Sequence, residues 1–329
     1  MLPSSSDTNM FKHAKYPRTT TVIGAPMTYG QPYVGTDSGP TLLRENGLLN
    51  MLTSLGWRVE DMPDLDFEAP EHITGGMKDP PGAKNCALVG HGTSRLADIV
   101  EEVILDGKFP LILGGDHSIG AGSLTGILRT RPNVGIIWVD AHADLNTPAT
   151  SDSGNMHGMP LGLLMNHPTE KVDFSSLPGF DYIANGPRLN PEQLVYIGLR
   201  DVDPTERVWI RELGIKAFTM YDIDHLGIGQ VMDKALEHLL KDDPDRPLHL
   251  SYDIDAVDPI LAPATGTAVR GGLTYREAHF VGEYVAQSGN LASAEIVELN
   301  PSLSPGEGAD ETVDLGLQLI TSFMGKSIL

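Results

Sequence analysis

Asp140-Ala141-His142-Ala143-Asp144 follows directly on the apolar run Val134-Gly135-Ile136-Ile137-Trp138-Val139. A short run rich in β-branched residues reads as a buried strand. Extended backbone sends residues i, i+2 and i+4 to one side. Asp140, His142 and Asp144 are therefore expected to converge at the C-terminal end of that strand. Two carboxylates and an imidazole in one place are ligand types for divalent metal ions, and a carboxylate can bridge a pair of them.

Two further segments repeat the pattern. Leu111-Ile112-Leu113 runs into Gly114-Gly115-Asp116-His117-Ser118, and Leu248-His249-Leu250-Ser251-Tyr252 runs into Asp253-Ile254-Asp255. Each places metal-ligand residue types at the end of an apolar strand, the edge where open parallel sheets bind ligands. His117, Asp140, His142, Asp144, Asp253 and Asp255 form the candidate set. Four carboxylates and two imidazoles suit two ions sharing carboxylates and a bridging oxygen. Mixed nitrogen and oxygen ligation without thiolate disfavours structural zinc and suits manganese, with iron or cobalt as substitutes. Two such cations lower the pKa of a bridging water, so the reaction class is metal-activated hydrolysis.

Some acidic groups read otherwise. Asp116, beside His117 in a glycine-rich turn, reads as a buried structural acceptor. Asp258, before Pro259, reads as a turn residue. Asp222-Ile223-Asp224-His225 has equally good spacing after a shorter strand and reads as a decoy. The remaining histidines, His249 and His279 among them, read as surface or packed residues.

The chain of 329 residues carries a formal charge of −21. That argues against a nucleic-acid surface and is compatible with a cationic small substrate. No apolar run approaches the roughly 20 residues that span a bilayer, so no membrane role is expected. Cys86 is the single cysteine, which excludes an intramolecular disulfide, suits a reducing compartment and reads as structural. A cytoplasmic location is expected. The first 18 residues lack an apolar signal core and read as a disordered N-terminal arm, with an organellar leader as the alternative.

Strands alternate with helices, which predicts a parallel sheet covered on both faces. Strands are expected at 20–25, 57–62, 109–113, 134–139, 194–199, 215–219, 248–253 and 292–298. Helices are expected over 40–55, 94–105, 228–240, 274–286 and 310–324, with a surface loop at 63–83. Thr274 with Glu277 three residues on is a capping-box pattern. No linker or repeat interrupts the chain, so residues 19–329 read as a single catalytic domain.

The three strand-end motifs resemble the signatures of the ureohydrolase family, the arginases, agmatinases and their relatives. Asn146-Thr147-Pro148, Ser153-Gly154-Asn155-Met156-His157-Gly158, Gly198-Leu199-Arg200-Asp201-Val202-Asp203-Pro204, Pro263-Ala264-Thr265-Gly266-Thr267 and Glu298-Leu299-Asn300-Pro301 are similar to arginase in particular. The resemblance implies a three-layer α/β fold of the arginase/deacetylase type, with an eight-stranded parallel sheet and helices on both faces. It implies two manganese ions per subunit. His117, Asp140, Asp144 and Asp253 would hold one, and Asp140, His142, Asp253 and Asp255 the other. A bridging hydroxide would attack the guanidinium carbon of L-arginine and give L-ornithine and urea. Asp144 would relay a proton, His157 would shuttle protons and Glu298 would pair with the guanidinium. Thr267 would lie near the guanidinium end. Asn146, Ser153 and Asn155 would bind the α-carboxylate, and Asp203 and Glu206 the α-ammonium, while Asp201 would be structural.

The resemblance also implies a homotrimer, with Arg276 and Glu277 in a segment used at that interface. Some arginases carry a longer C-terminal tail around a neighbouring subunit than this chain has beyond its last helix. An agmatinase would share the metals but not the Ser153–His157 and Asp201–Pro204 loops. A silent, metal-holding regulatory protein would hold metal without turnover.

Overall fold

A computed structural model describes residues 10–15, 17–67 and 78–327. Eight strands form one sheet: β1 Thr19–Ala25, β2 Arg58–Asp61, β3 Phe109–Gly114, β4 Gly135–Val139, β5 Leu194–Leu199, β6 Lys216–Thr219, β7 Leu248–Asp253 and β8 Leu291–Val297. Their order is β2-β1-β3-β8-β7-β4-β5-β6, and every pairing is parallel. The six inner strands are buried along their whole length. That is why they read as continuous apolar runs rather than as alternation.

Helices cover both faces. They are α1 Gly39–Glu45, α2 Leu48–Ser54, α3 Cys86–Leu105, α4 Gly120–Thr130, α5 Pro160–Leu164, α6 Asp181–Ala184, α7 Pro204–Leu213, α8 Met220–Leu226, α9 Ile228–Leu240, α10 Tyr275–Gln287 and α11 Glu307–Phe323. The pleat divides each strand between two interiors. Leu111, Leu113, Ile137 and Val139 pack with α1, α2, α9, α10 and α11. Ile112, Ile136 and Trp138 pack with α3, α4 and α5.

Several elements differ from expectation. The helix drawn over 40–55 is two helices, broken where Gly47 takes φ +96°, a left-handed conformation that glycine adopts at no steric cost. The helix drawn from Ser94 begins eight residues earlier, at Cys86, whose N–H is accepted by Asp79 Oδ1 at 3.1 Å. Helix α4 was not expected, because Gly120, Gly122 and Gly126 dilute its pattern. Gly122 and Gly126 serve packing against α3: a Cβ on Gly122 would lie 2.3 Å from the Thr93 carbonyl oxygen, and one on Gly126 2.4 Å from that of Ala97. The surface loop at 63–83 is partly core, since Leu65 and Phe67 are buried, and its residues 68–77 lie outside the described residues.

The arm at 1–18 also falls partly outside them. Within it, Phe11 is 2% exposed and packs edge-on against Trp57 and Phe109, with ring centroids at 4.8 and 5.9 Å. Cys86 is buried, and burial with the nearby Asp79 charge pushes its thiol up to about 12. It is an inert packing residue. Among the described residues, no helix is long and apolar enough to cross a membrane.

Candidate metal centre

The sheet order brings four strand ends together. β3, β8, β7 and β4 are neighbours, and their C-terminal ends carry His117, Glu298, Asp253 with Asp255, and Asp140 with His142 and Asp144. β3 and β4 follow one another in sequence, yet β8 and β7 lie between them. Such a reversal of strand order leaves a crevice at the carboxyl edge.

The convergence of Asp140, His142 and Asp144 does not come from strand alternation. β4 ends at Val139, and the next residues turn. The Asp140 N–H still donates to the Ile197 carbonyl on β5, and the carbonyl of Ala141 accepts from both Arg200 and Asp201. Asp140 Oδ1 accepts from the His142 N–H at 2.7 Å. Asp144 then takes φ +48°, which an aspartate tolerates better than most residues. At β7, Asp253 closes the strand and its Oδ1 accepts from the Asp255 N–H at 2.8 Å. Both motifs are carboxylate-stabilised turns hung on strand ends.

His117 Nδ1 lies 3.1 Å from one oxygen each of Asp140, Asp144 and Asp253. It is buried and makes no hydrogen bond. His142 Nδ1 lies 3.0 Å from Asp255 Oδ2 and 3.4 Å from Asp140 Oδ1. Two groups with mutually close ligand atoms result, His117 with Asp140 and Asp253, and Asp140 with His142 and Asp255. Asp140 belongs to both.

The electrostatics of this cluster call for cations. Burial raises Asp253 well above the carboxylate range, with Asp255 and Asp140 adding to it. Burial and the Asp140 charge raise Asp144 to about 6 and raise Asp255 as well. Burial opposes ionisation of Asp140 too, but bonds to His117 and His142 hold it below the ordinary range. Both imidazoles are driven up against their own desolvation by the surrounding carboxylates. Buried like charges at this spacing cannot all ionise without positive charge among them. The hard oxygen donors and the orphaned Nδ1 fit divalent metal ions.

Apart from Glu298, the remaining predicted residues gather around one cavity of about 330 Å³. Asn146, Ser153, Asn155, His157, Asp203, Glu206 and Thr267 line it together with His117, His142, Asp144 and Asp253. Asp201, read as structural, lines it as well. Asp203 and Glu206 cap α7 reciprocally. Glu206 is buried; its oxygens accept from the N–H groups of Leu145 at 2.8 Å and Asp203 at 2.9 Å, and burial raises it to about 7. Asn146 Nδ2 donates to Asp203 Oδ2 at 2.9 Å, tying the two ends of the rim together. Thr267 donates to Asp255 Oδ2 at 2.9 Å, so it supports a candidate ligand directly.

Glu298 sits behind His157 with φ +66° and is 1% exposed. Oε1 accepts from the His117 N–H at 2.7 Å and lies 3.3 Å from His157 Nδ1. Oε2 accepts from Gln31 Nε2 at 2.7 Å. Gln31 was missed because its β1–α1 loop carries no motif; only proximity identifies it. Trp138 was read as core alone. It stacks on His117 with centroids 4.1 Å apart and donates to Asp140 Oδ2 at 3.0 Å. Lys84 also escaped notice, and its Nζ lies 3.4 Å from Asn155 Oδ1, which puts a cation beside that amide.

The other acidic motifs are structural. Asp116 is fully buried and accepts from the N–H of Gly30 and of Ser118 and from the Ser118 hydroxyl. Asp222 caps α8 by accepting from the Thr219 N–H and hydroxyl. Asp258 holds a turn through the N–H groups of Ile260, Gly271 and Gly272.

The chain as a whole is similar to known proteins. Residues 18–325 match a family model described as the Arginase family. Arginase from Glaciozyma antarctica (strain PI12) is 42% identical over 320 residues, covering 95% of this chain and 89% of that protein. Arginase-1 from Homo sapiens is 43% identical over 314 residues, covering 94% and 93%. The crystal structure of arginase from Bacillus subtilis has a TM-score of 0.82 at 39% identity, over 95% of this chain and all of that one.

Proposed function

The chain belongs to the arginase family of hydrolases, and from that premise we propose that it hydrolyses L-arginine to L-ornithine and urea with two manganese ions. The observation that carries the metal reading is His117 Nδ1, buried without a hydrogen bond and equidistant from three carboxylate oxygens. His117, Asp140, Asp144 and Asp253 would hold one ion. Asp140, His142, Asp253 and Asp255 would hold the other. When bound, the pair supplies a water deprotonated near neutral pH as the nucleophile.

The protein's own groups do the rest. A guanidinium carbon is a poor electrophile and an alkylamine a poor leaving group, so the departing nitrogen needs a proton. Oxygen adds to the carbon, and the bond to the chain nitrogen breaks as Asp144 delivers that proton. His157, half-buried in the cavity wall, carries protons between solvent and the site. Glu298 behind it supplies negative charge that favours a guanidinium. Asn146, Ser153 and Asn155 bind the α-carboxylate, Asp203 with Glu206 draws the α-ammonium, and Thr267 steadies Asp255. A site built to pair the α-carboxylate rejects the analogue that lacks it.

A cytoplasmic setting and a trimer through the Arg276–Glu277 segment belong to the same reading. Glu277 already caps α10 through the Thr274 N–H, so Arg276 is the freer contact. Sedimentation of a stable, active monomer would remove the trimer. The decisive assay is urea release from L-arginine and from agmatine by protein stripped of metal and reloaded with manganese. Manganese-dependent urea from arginine alone supports the whole reading. Urea from agmatine instead overturns the substrate assignment, and silence on both with metal bound overturns catalysis.

A further inference from the structure

Beneath the centre, β7 and β8 present polar side chains where an apolar layer is normal. His249, Ser251, Ser293 and Glu295 are all 0% exposed. Buried polar groups of this kind are costly unless they pair, and these form a connected set. His249 Nδ1 lies 3.0 Å from Ser293 Oγ and its Nε2 lies 3.5 Å from Glu295 Oε1. The Ser251 hydroxyl donates to Glu295 Oε1 at 2.7 Å. Ser251 Oγ is also 2.9 Å from His117 Nε2.

The direction of the two Ser251 bonds follows from counting hydrogens. An ionised carboxylate only accepts, and Glu295 Oε1 takes the Ser251 hydroxyl hydrogen at 2.7 Å. A serine hydroxyl has one hydrogen, and Ser251 gives it to Glu295. What Ser251 turns toward His117 is therefore a lone pair, so Nε2 must carry hydrogen. A neutral imidazole has one ring hydrogen. In the neutral ring that metal binding requires, Nδ1, the atom aimed at Asp140, Asp144 and Asp253, is then the free base. Trp138 stacked on the ring holds the same orientation.

We propose that Ser251 and Glu295 are positioning residues for the metal centre, a buried hydrogen-bond chain that keeps the His117 hydrogen on Nε2 and presents the Nδ1 lone pair to one metal ion. The proposal rests on the two-ion reading above. Partners behind a ligating histidine fix its tautomer and orientation in this way.

The test is manganese binding by titration calorimetry, with free ion followed by electron paramagnetic resonance, on metal-stripped parent, Ser251→Ala and Glu295→Gln. The glutamine amide can donate to Ser251 and reverse the chain. In both variants one of the two ions should bind roughly 10- to 100-fold more weakly while the other keeps its affinity. Thermal unfolding of the metal-free forms should stay close to the parent, and Ser251→Thr, which retains the hydroxyl, should recover affinity relative to Ser251→Ala. Parent affinity at both sites in Ser251→Ala and Glu295→Gln overturns the proposal. So does equal weakening of both ions with a fall in metal-free stability, which marks general loosening. A parent chain that binds no manganese overturns the two-ion reading itself and the proposal with it.

Discussion

His157 and Glu298 meet with Nδ1 3.3 Å from Oε1, although 141 residues separate them in the chain. Desolvation works against a charged His157. The bond to Glu298 and the charges of Glu298, Asp144 and Asp116 more than offset it, raising the imidazole to about 9 in the metal-free protein. A folded-state pKa above the unfolded value means the native chain binds the extra proton. The contribution is complete below about 6.5 and is lost as pH rises through about 9. Denaturant midpoints of metal-free protein should fall across that window, and His157→Asn should flatten the fall. An unchanged slope in the variant would show that the pair does not set it.

His157→Ala should lower turnover without releasing metal. A positioned proton carrier contributes roughly 10²- to 10⁴-fold, and His157 belongs to neither group of close ligand atoms. Metal analysis beside urea assays decides the matter. Loss of manganese from the variant would make His157 a ligand instead.

Asp253→Ala should weaken metal retention and nearly abolish urea release. It removes a carboxylate at van der Waals range of His117 Nδ1 and assigned to both ions. The loss should exceed the roughly 10- to 100-fold cost of removing an outer partner of a ligand. A variant that kept both ions after dialysis and retained activity would refute the cluster assignment.

Ser153→Ala combined with Asn155→Ala should raise KM for arginine by roughly 10-fold or more, since hydrogen bonds to a charged group are each worth about 1.5–3 kcal/mol. Any residual rate on agmatine, which has no α-carboxylate, should be unaffected. Equal losses on both substrates would place these residues in general loop stability instead.

Phe11→Ala should destabilise the fold by about 3–5 kcal/mol, the usual cost of emptying a buried aromatic site. Phe11 packs edge-on against both Trp57 and Phe109, and the change should also shift Trp57 fluorescence. A shift in the unfolding midpoint worth less than about 1 kcal/mol would mean the segment contributes little to stability.

Much of the site was legible because its chemistry is local. Gly114–Ser118, Asp140–Asp144 and Ser251–Asp255 each put ligand types directly after an apolar run, and a buried strand can end in such a group only if something compensates it. The parallel class followed from the alternation of strands and helices, and the unbroken apolar runs agree with strands covered on both faces. Helix α4 was hidden because Gly122 and Gly126 answer to α3, a contact that periodicity within one segment does not record. The helix over 40–55 looked continuous because the break needs only the positive φ of Gly47.

What the chain itself determined was the inventory: which residues could ligate, that strands and helices alternate, and that acidic groups gather at strand ends. Only the tertiary structure decided that β8 and β7 stand between β3 and β4, that a left-handed Asp144 rather than strand alternation closes the cluster, and that Gln31, Trp138, Ser251 and Glu295 stand behind the ligands. The physical reason is range. Backbone geometry and local polarity act within a few residues and are written in order along the chain. Strand pairing and buried hydrogen bonds join residues far apart, and their partners are selected by packing and by the need to satisfy every buried polar atom.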